Sequence, residues 1–342
     1  MNKYVKLDTN IKITLAIVGG FILALVMIPV LFVLTLMIRT EEGEAKIIEE
    51  IEEVEEVIEL EEKYNEEEYN SNFYITVYRT ETSEFQTMDF ERYLIGVVAA
   101  EMPALFELDA LRAQAIAART YAMRILVHDD YILDAEMHQV FLDDDQLKKR
   151  WGKDFDLHFE KIEEAVTSTN GIVLMYDDDL ITPMFFAMSS GATENSEDVF
   201  GTARPYLRSV VSTGYEERTN FAVCEIFTID DLREAFDDNS ITADNIYVLG
   251  YSEGGNVDEV AIGEGTYTGR KVREILGLRS AAFSIGISRR GIVFTTYGHG
   301  HGVGMSQHGA NAMAREGYDY VEILNHFYQN VTLKEKNFTE YE

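Results

Sequence analysis

Glu101 is the residue whose place in the sequence most directly suggests chemistry. It ends the apolar run "YLIGVVAAE" and precedes "MP", so that Pro103 follows two residues later. Because proline disfavours helical geometry in the residue before it, a helix over this run is expected to end at Glu101. The negative helix end and packing on the stripe of Leu94, Val97 and Val98 both disfavour a charged carboxylate. The sequence therefore predicts a raised pKa suited to a general acid, with an ordinary solvated acid as the alternative.

A second stretch, "TYGHGHGVGMSQHGANAMAREG", alternates glycine with larger residues. Glycine at this frequency lets the backbone approach a ligand or another segment closely. If the stretch is extended, His299 and His301 project to the same face. One interpretation is a metal site with His308 as third ligand, and the other is the sugar-binding or oxyanion-stabilising edge of a cleft. No carboxylate occurs from Tyr297 to Met313, which makes the metal site the weaker interpretation.

Two further groups of polar residues could contribute to a site. In "DALRAQAIAARTYAM", Arg112 and Arg119 lie seven residues apart and share one side of a helix. If that side faces a cleft, their guanidinium groups would bind sugar hydroxyls or a carboxylate; a solvated helix face is the alternative. The segment 187–212 is rich in small hydroxyl residues and then contains Tyr206 and Arg208. An ordinary polar loop would have the same composition.

The elements that must position these residues form an α+β pattern. "FYITVY" predicts an opening strand, "DFERYLIGVVAAEM" a helix, and Asp109 the N-cap of a second helix reaching about Val127. The middle of the chain mixes short apolar runs with acidic loops, and Asp319 with Glu322 has the spacing of a capping box before a last helix. We expect a mixed, mainly antiparallel sheet domain with packed helices, which could divide into two lobes.

The N-terminal region predicts a membrane anchor. Residues 13–38 run for 26 positions without a charge, long enough to cross a bilayer. Lysines precede this run and 15 glutamates lie between Glu41 and Glu68, so the positive-inside rule places the N-terminus in the cytoplasm. The expected organisation is a cytoplasmic tail (1–12), a single transmembrane helix (13–38), an acidic helical stalk (39–72) and an extracytoplasmic catalytic domain (73–342). A short coiled coil is the alternative for the stalk.

Composition excludes several classes of function. The chain has 342 residues with 61 acidic and 29 basic side chains, a formal charge of −32. Nucleic-acid binding needs clustered Lys and Arg, so a nucleic-acid partner is excluded. Cys224 is the one cysteine, which excludes an internal disulfide and a zinc site built on several thiolates.

Four stretches together resemble the stage II sporulation protein D family, whose domain is called SpoIID/LytB. They are "YLIGVVAAEMPALFELDALRAQAIAARTYAM", "SSGATENSEDVFGTARPYLRSV", "REILGLRSAAFSI" and "GHGHGVGMSQHGANAMA". They occur in the family's order across most of residues 73–331. The chain departs from the family pattern in "EMHQVF", where relatives often carry aspartate before "QVY". Some relatives have cysteine and histidine ligands for zinc in that region, but this chain has no cysteine between Met123 and Ala222, so that type of metal site is absent.

The resemblance implies a membrane-anchored lytic transglycosylase that needs no cofactor or metal. Such enzymes cleave the bond between N-acetylmuramic acid and N-acetylglucosamine in peptide-stripped peptidoglycan during engulfment of the forespore. Implied partners are the glycan strands and stage II sporulation proteins P and M. A non-catalytic glycan-binding enhancer of an amidase is the alternative within the same family. The catalytic residue would be Glu101, and the implied substrate-binding residues are Gln114, Arg119, Ser190, Tyr206, Arg208, His299, His301 and Gln307.

Overall fold

The computed structural model describes residues 73–135, 138–214 and 220–336. The predicted cytoplasmic tail (1–12), transmembrane helix (13–38) and acidic stalk (39–72) lie outside these residues. In the ranges that are described, no helix is both long and apolar enough to cross a membrane. All described residues belong to one contact unit that spans residues 71–342.

The strands are short and distributed over the whole described chain. They are β1 Tyr74–Arg79, β2 Glu84–Asp89, β3 Ile132–Leu133, β4 Ile172–Tyr176, β5 Asp179–Leu180, β6 Phe185–Phe186, β7 Ala222–Phe227, β8 Ile246–Tyr251, β9 Val257–Ile262, β10 Gly265–Tyr267, β11 Phe283–Ser288, β12 Gly291–Tyr297, β13 Met305–Ser306 and β14 Thr332–Glu335. The opening strand predicted from "FYITVY" is confirmed as β1.

Most strand pairs are antiparallel. Three of the three-stranded sheets have the strand orders β10-β9-β8, β11-β12-β7 and β14-β4-β5. All pairs in these sheets are antiparallel. β1 pairs antiparallel with β2 and parallel with β3, and β6 pairs parallel with β13. The predicted mixed, mainly antiparallel architecture is confirmed for the described residues.

Several of the helices pack against one long helix. They are α1 Phe90–Glu101, α2 Leu108–Leu126, α3 Asp144–Trp151, α4 Phe155–Thr167, α5 Ser196–Phe200, α6 Ile229–Phe236, α7 Gly269–Leu276, α8 Gln307–Arg315 and α9 Tyr320–Phe327. α2 contacts α1, α4, α8, α9 and β4. Its buried alanines, such as Ala113 and Ala117, are fully inaccessible. Because their side chains are small, α2 accepts close neighbours on several sides at once.

Two of the helix termini predicted from the sequence are confirmed, and one is wrong. α1 ends at Glu101 and α9 begins after a capping box of Asp319 and Glu322, as predicted. Asp109 is not the N-cap of α2. The N-cap position is Glu107, whose carbonyl already accepts from the amides of Ala110 and Leu111, so helical hydrogen bonding begins before Asp109.

The region after β7 builds a hydrophobic cluster of its own. It combines buried side chains from α6, α7 and strands β8, β9, β11 and β12. Phe283 and Phe294 meet edge to face within it, with ring centroids 5.5 Å apart. Contact clustering keeps this cluster in one unit with the rest of residues 71–342, so the possible division into two lobes stays a prediction.

Candidate active site

Glu101 is held at the C-terminal end of α1 by caps at both ends of that helix. Asp89 accepts from the amides of Glu91 and Arg92 at the start. At the other end Met102 is extended, with φ −119° and ψ 144°, and its amide donates to the carbonyl of Val98. This is the geometry that Pro103 imposes on the preceding residue. The half-buried Glu101 side chain thus starts from a fixed backbone position.

Glu101 lines a cavity of about 350 Å³. The other lining residues are Tyr121, His138, Gln139, Val140, Pro183, Met184, Phe185 and His301. Among these described residues Glu101 supplies the single carboxylate. The cavity therefore combines one acid with aromatic, apolar and neutral polar walls, a composition typical of small-ligand sites.

Two glutamines connect Glu101 to the helices behind it. The side-chain amide of Gln307 lies 3.4 Å from Glu101 Oε2 and 3.4 Å from Gln114 Oε1, and it donates to both. Gln114 is fully buried in α2, and Gln307 begins α8. Ser306 caps α8 by accepting from the amide of Gly309, which fixes the start of that helix. The amide donor of Gln307 is therefore preorganised toward the carboxyl group.

His301 also lines this cavity and is a neutral imidazole. Its Nδ1 accepts from the amide of Val303 at 3.0 Å, and the ring also bonds to the backbone of Phe185. Phe186 and Phe200 contact the ring, with centroids 5.6 and 5.4 Å away. Burial lowers the His301 pKa to about 4, and the charge of Arg273 acts in the same direction. Because its ring is already hydrogen-bonded to the backbone of both Val303 and Phe185, His301 is suited to shaping the cavity and is poorly suited to binding a metal ion.

The glycine-rich segment is not a regular extended strand. Gly298, Gly300, Gly302 and Gly304 all have positive φ, between 73° and 113°. His299 exchanges two backbone hydrogen bonds with Met188, and its side chain is partly exposed and absent from the cavity lining. Its pKa is lowered, by partial desolvation and then by Arg279. The prediction that His299 and His301 project to the same face requires an extended chain. The positive φ angles show that the segment is not extended, so the prediction loses its basis.

The three-histidine metal interpretation finds no geometry to support it. His308 contacts Phe106, with ring centroids 5.0 Å apart. Within the described ranges, no three His, Cys, Asp or Glu side chains are arranged to hold a metal ion.

Arg119 lies in the core and does not reach the cavity, which corrects its predicted substrate-binding role. Its side chain is fully inaccessible, and it forms a two-pronged pair with Glu91 at 2.8 and 2.6 Å. It also donates to the carbonyls of Val166 and Ile172. The physical reason is that the side of α2 that carries Arg112 and Arg119 packs on α4. Arg112 lies at the edge of this helix contact and pairs with Glu164, whereas Arg119 is covered by it.

Three other predicted residues also lie outside this cavity. Tyr206 is buried, and its hydroxyl accepts from the amide of Thr182 at 3.1 Å. Arg208 forms a bidentate pair with Glu197, which lowers the Glu197 pKa to about 2. Ser190 donates to the carbonyl of Gly254 at 3.5 Å. Of the predicted set, the structure brings together Glu101, Gln114, His301 and Gln307.

Tyr121 is one of the polar cavity residues that the sequence analysis did not assign to a site; His138 and Gln139 are others. Tyr121 lies in α2 seven positions after Gln114, so both point from the same side of that helix. Burial raises the Tyr121 pKa, so its hydroxyl stays protonated and can donate to a ligand. The signal was present as helical spacing, but nothing local distinguished Tyr121 from a core aromatic residue.

Comparison with known proteins identifies the family. A sequence model described as stage II sporulation protein matches residues 78–176. Stage II sporulation protein D of Bacillus subtilis (strain 168) is 39% identical over 272 residues, covering 76% of this chain and 79% of that protein. The Bacillus amyloliquefaciens protein of the same name is 37% identical over 270 residues, covering 76% and 78%. The chain belongs to the stage II sporulation protein D family.

A more distant relative carries a different name. The amidase enhancer of Bacillus subtilis (strain 168) is 25% identical over 295 residues, which cover 70% of this chain and 40% of the relative. The family match on residues 78–176 contains Glu101, Gln114 and Tyr121, whereas His301 and Gln307 lie beyond it. The site is therefore completed by the C-terminal part of the chain.

Proposed function

We propose that this chain is a lytic transglycosylase that cleaves peptidoglycan glycan strands in sporulation. The observation that carries the proposal is the position of Glu101 as the one described carboxylate of a cavity, at a helix C-terminus and under the amide of Gln307. Hydrolytic glycosidases generally use two carboxyl groups, one as acid and one as base or nucleophile. A transglycosylase can use the same group twice.

The proposed reaction is an intramolecular displacement. Glu101 donates its proton to the glycosidic oxygen between N-acetylmuramic acid and N-acetylglucosamine, and the C1–O bond breaks as oxocarbenium character develops. The ionised Glu101 then accepts the proton of the C6 hydroxyl as that oxygen bonds to C1. The products are a 1,6-anhydro-muramic end and a free N-acetylglucosamine end, and no water is consumed. The amide of Gln307 stabilises the carboxylate formed between the two proton transfers.

The biological setting extends the proposal by family resemblance. The substrate would be glycan already stripped of stem peptides, and the step would be engulfment of the forespore. Residues 13–38 would anchor the chain once in the cell membrane, with residues 1–12 in the cytoplasm and the catalytic domain outside. Stage II sporulation proteins P and M would be its partners. No cofactor is required by the proposed chemistry.

The decisive experiment is product analysis with Glu101→Gln. Peptide-stripped glycan is incubated with each purified full-length variant, and products are weighed by mass spectrometry. An anhydro end is lighter by one water molecule than a hydrolysed end. Loss of the general acid is expected to lower the rate of anhydro-product formation by about 10²–10⁴-fold. Anhydro products at the wild-type rate would exclude the assigned role of Glu101.

Two matched variants control this measurement. Glu107→Gln removes an exposed carboxylate outside the cavity and is expected to keep full activity. Glu136 lies outside the described residues but close in sequence to His138. Glu136→Gln should also retain the anhydro product. If the wild type instead formed hydrolysed ends, and Glu136→Gln failed to form them, the chain would be a two-carboxylate hydrolase.

The relation to the amidase enhancer supports a second candidate function. In that case the same cavity binds glycan without cleaving it, and the chain stimulates an amidase. This alternative predicts glycan binding with no new anhydro end. It also predicts that Glu101→Gln stimulates the amidase as well as the wild type does.

A further inference from the structure

Two polar side chains of the Glu101 cavity have no task in the proposed bond cleavage. They are Tyr121 and His138, which are both half-buried and line the cavity with Glu101. The hydroxyl of Tyr121 makes no hydrogen bond within the part of the chain that the structure describes. Because burial raises the Tyr121 pKa, this hydroxyl keeps its proton and is a donor that a ligand can use.

The hydrogen bonds of His138 determine which of its ring nitrogens a ligand can reach. Its Nδ1 accepts from the backbone amide of Leu133 at 3.0 Å. A nitrogen that accepts carries no proton, so the ring is neutral and holds its proton on Nε2. The backbone amide of His138 donates to the carbonyl of Ala135 at 2.9 Å, which holds the residue in a turn. Nε2 is therefore the nitrogen left for the cavity, and it acts there as a donor.

The other neutral polar groups of the wall are already used by the fold. The Gln139 side chain donates to the carbonyl of Ala118 at 3.2 Å and accepts from the hydroxyl of Tyr93 at 3.3 Å. The ring of His301 is hydrogen-bonded to two backbone groups. A ligand in this cavity therefore meets two uncommitted donors in addition to the carboxyl group that performs the proposed chemistry.

The remaining wall is apolar and carries no cation. Val140, Pro183, Met184 and Phe185 form it, and neither Lys nor Arg occurs among the described lining residues. A ligand carboxylate would face Glu101 with no positive charge to offset the repulsion. An acetamido group fits these surroundings better. Its carbonyl oxygen has two lone pairs for two donors, and its methyl group can pack on the apolar wall.

We propose that Tyr121 and His138 bind the acetamido group on C2 of the muramic ring, with its carbonyl oxygen accepting from the Tyr121 hydroxyl and from His138 Nε2. This inference rests on the proposed function, which supplies the muramic ring. C2 is bonded to C1, the reacting carbon, so holding its substituent positions C1 beside Glu101. The cavity volume of about 350 Å³ is at the lower end of ligand sites and suits a single sugar unit.

Calorimetric titration of the full-length chain with two neutral tetrasaccharides tests which group is recognised. Chitotetraose and cellotetraose share the same linkage and differ at C2, which carries an acetamido group in the first and a hydroxyl in the second. Chitotetraose is expected to bind at least about tenfold more tightly, because cellotetraose leaves the two donors without their carbonyl oxygen. Equal affinities, or no binding of either compound, would overturn the proposal.

Substitutions at the two donors test the assignment of groups. Tyr121→Phe and His138→Leu are each expected to lower the affinity for chitotetraose about tenfold and to leave that for cellotetraose unchanged. His138→Gln, whose side-chain amide can donate in place of Nε2, should keep more of the preference than His138→Leu. Tyr247→Phe and His128→Leu, at exposed positions outside this cavity, are the controls. Equal losses for both tetrasaccharides would indicate a structural role and refute the assignment.

Selective deacetylation of the natural polymer identifies the sugar that carries the bound group. The wild type is given two peptide-stripped glycans, one deacetylated at its muramic residues and the other at its glucosamine residues. Both carry the same number of ammonium groups, so the charge of the polymer is matched. The first glycan is expected to form anhydro product at least about tenfold more slowly, because an ammonium cannot accept from either donor. Equal rates, or the reverse order, would refute the assignment to the muramic ring.

Failure of this inference and failure of the proposed function are read from different measurements. Absence of anhydro product from the fully acetylated glycan would count against the proposed function. The tetrasaccharide titrations involve no bond cleavage, so they decide whether the acetamido group is recognised in either case.

Discussion

At the scale of single residues, the buried ion pair of Glu91 and Arg119 allows a test of whether Arg119 stabilises the fold or binds substrate. The Arg119 side chain is fully inaccessible and that of Glu91 is 4% exposed. Arg119→Met would leave Glu91 buried without its cation, which typically costs about 3–5 kcal/mol of unfolding free energy. Urea unfolding should therefore show a large loss of stability. Arg112→Met, which breaks only partly exposed pairs, should cost less than about 1 kcal/mol.

A double variant distinguishes lost packing from an uncompensated charge. Glu91→Leu combined with Arg119→Met removes both charges from the core, and it is expected to recover much of the stability lost in the single variant. If Arg119→Met unfolded like the wild type but weakened glycan binding, the residue would belong to the substrate site after all.

A second prediction at the scale of single residues concerns His301 and the way in which the free energy of unfolding depends on pH. Its ordinary pKa is near 6.5 and its folded value is about 4. Between these values the unfolded chain binds a proton that the folded chain refuses, so stability is lost as pH falls from 6.5 toward 4. When urea unfolding is measured at several pH values, the free energy of unfolding of the wild type should fall relative to that of His301→Gln as the pH is lowered through this window. A constant difference between the two proteins would contradict the neutral, buried imidazole.

At the scale of elements, the glycine-rich segment is shaped by close backbone contacts. Gly304 has φ +77°, and a Cβ there would lie 2.0 Å from the carbonyl oxygen of Met184. Gly201 has φ +74°, and a Cβ there would meet nothing within 4 Å. Both alanine substitutions carry the backbone cost of a left-handed conformation, about 1–2 kcal/mol. Gly304→Ala should lose a further 1–3 kcal/mol or so from the steric overlap.

Denaturant unfolding of these two variants measures the steric contribution directly, because the backbone cost cancels in their difference. Met184 lines the Glu101 cavity, so Gly304→Ala is also expected to slow product formation while Gly201→Ala does not. Equal stabilities would mean that the segment does not pack on Met184 as described.

The same segment shows what local sequence can and cannot specify. The end of α1 at Glu101 and the capping box of Asp319 follow from neighbours in sequence, and both were predictable. The positive φ angles around His299 and His301 follow from contacts with residues more than 100 positions away, such as Met188. Long-range packing likewise buries Arg119 and places Tyr121 in the cavity. Spacing alone could not distinguish these outcomes.

At the scale of the whole molecule, net charge opposes binding to an anionic polymer. The chain carries a formal charge of −32, and 15 of its glutamates lie between residues 41 and 68. Peptide-stripped glycan carries a lactyl carboxylate on each muramic residue, so association is expected to be slowed by repulsion at low salt. Raising NaCl from about 20 to 150 mM shortens the Debye length to about 8 Å. The initial rate of anhydro-product formation should therefore increase, opposite to the behaviour of a basic wall enzyme.

Neutralising the acidic segment tests where that repulsion originates. A full-length variant with glutamine in place of the glutamates between Glu41 and Glu68 keeps the length of the segment and removes about half of the net charge. Its rate at low salt should exceed that of the wild type, and its dependence on NaCl should be shallower because less charge remains to be screened. A wild-type rate that instead falls steadily with NaCl would mean that local positive charge at the cavity mouth outweighs the acidic segment in capturing the strand.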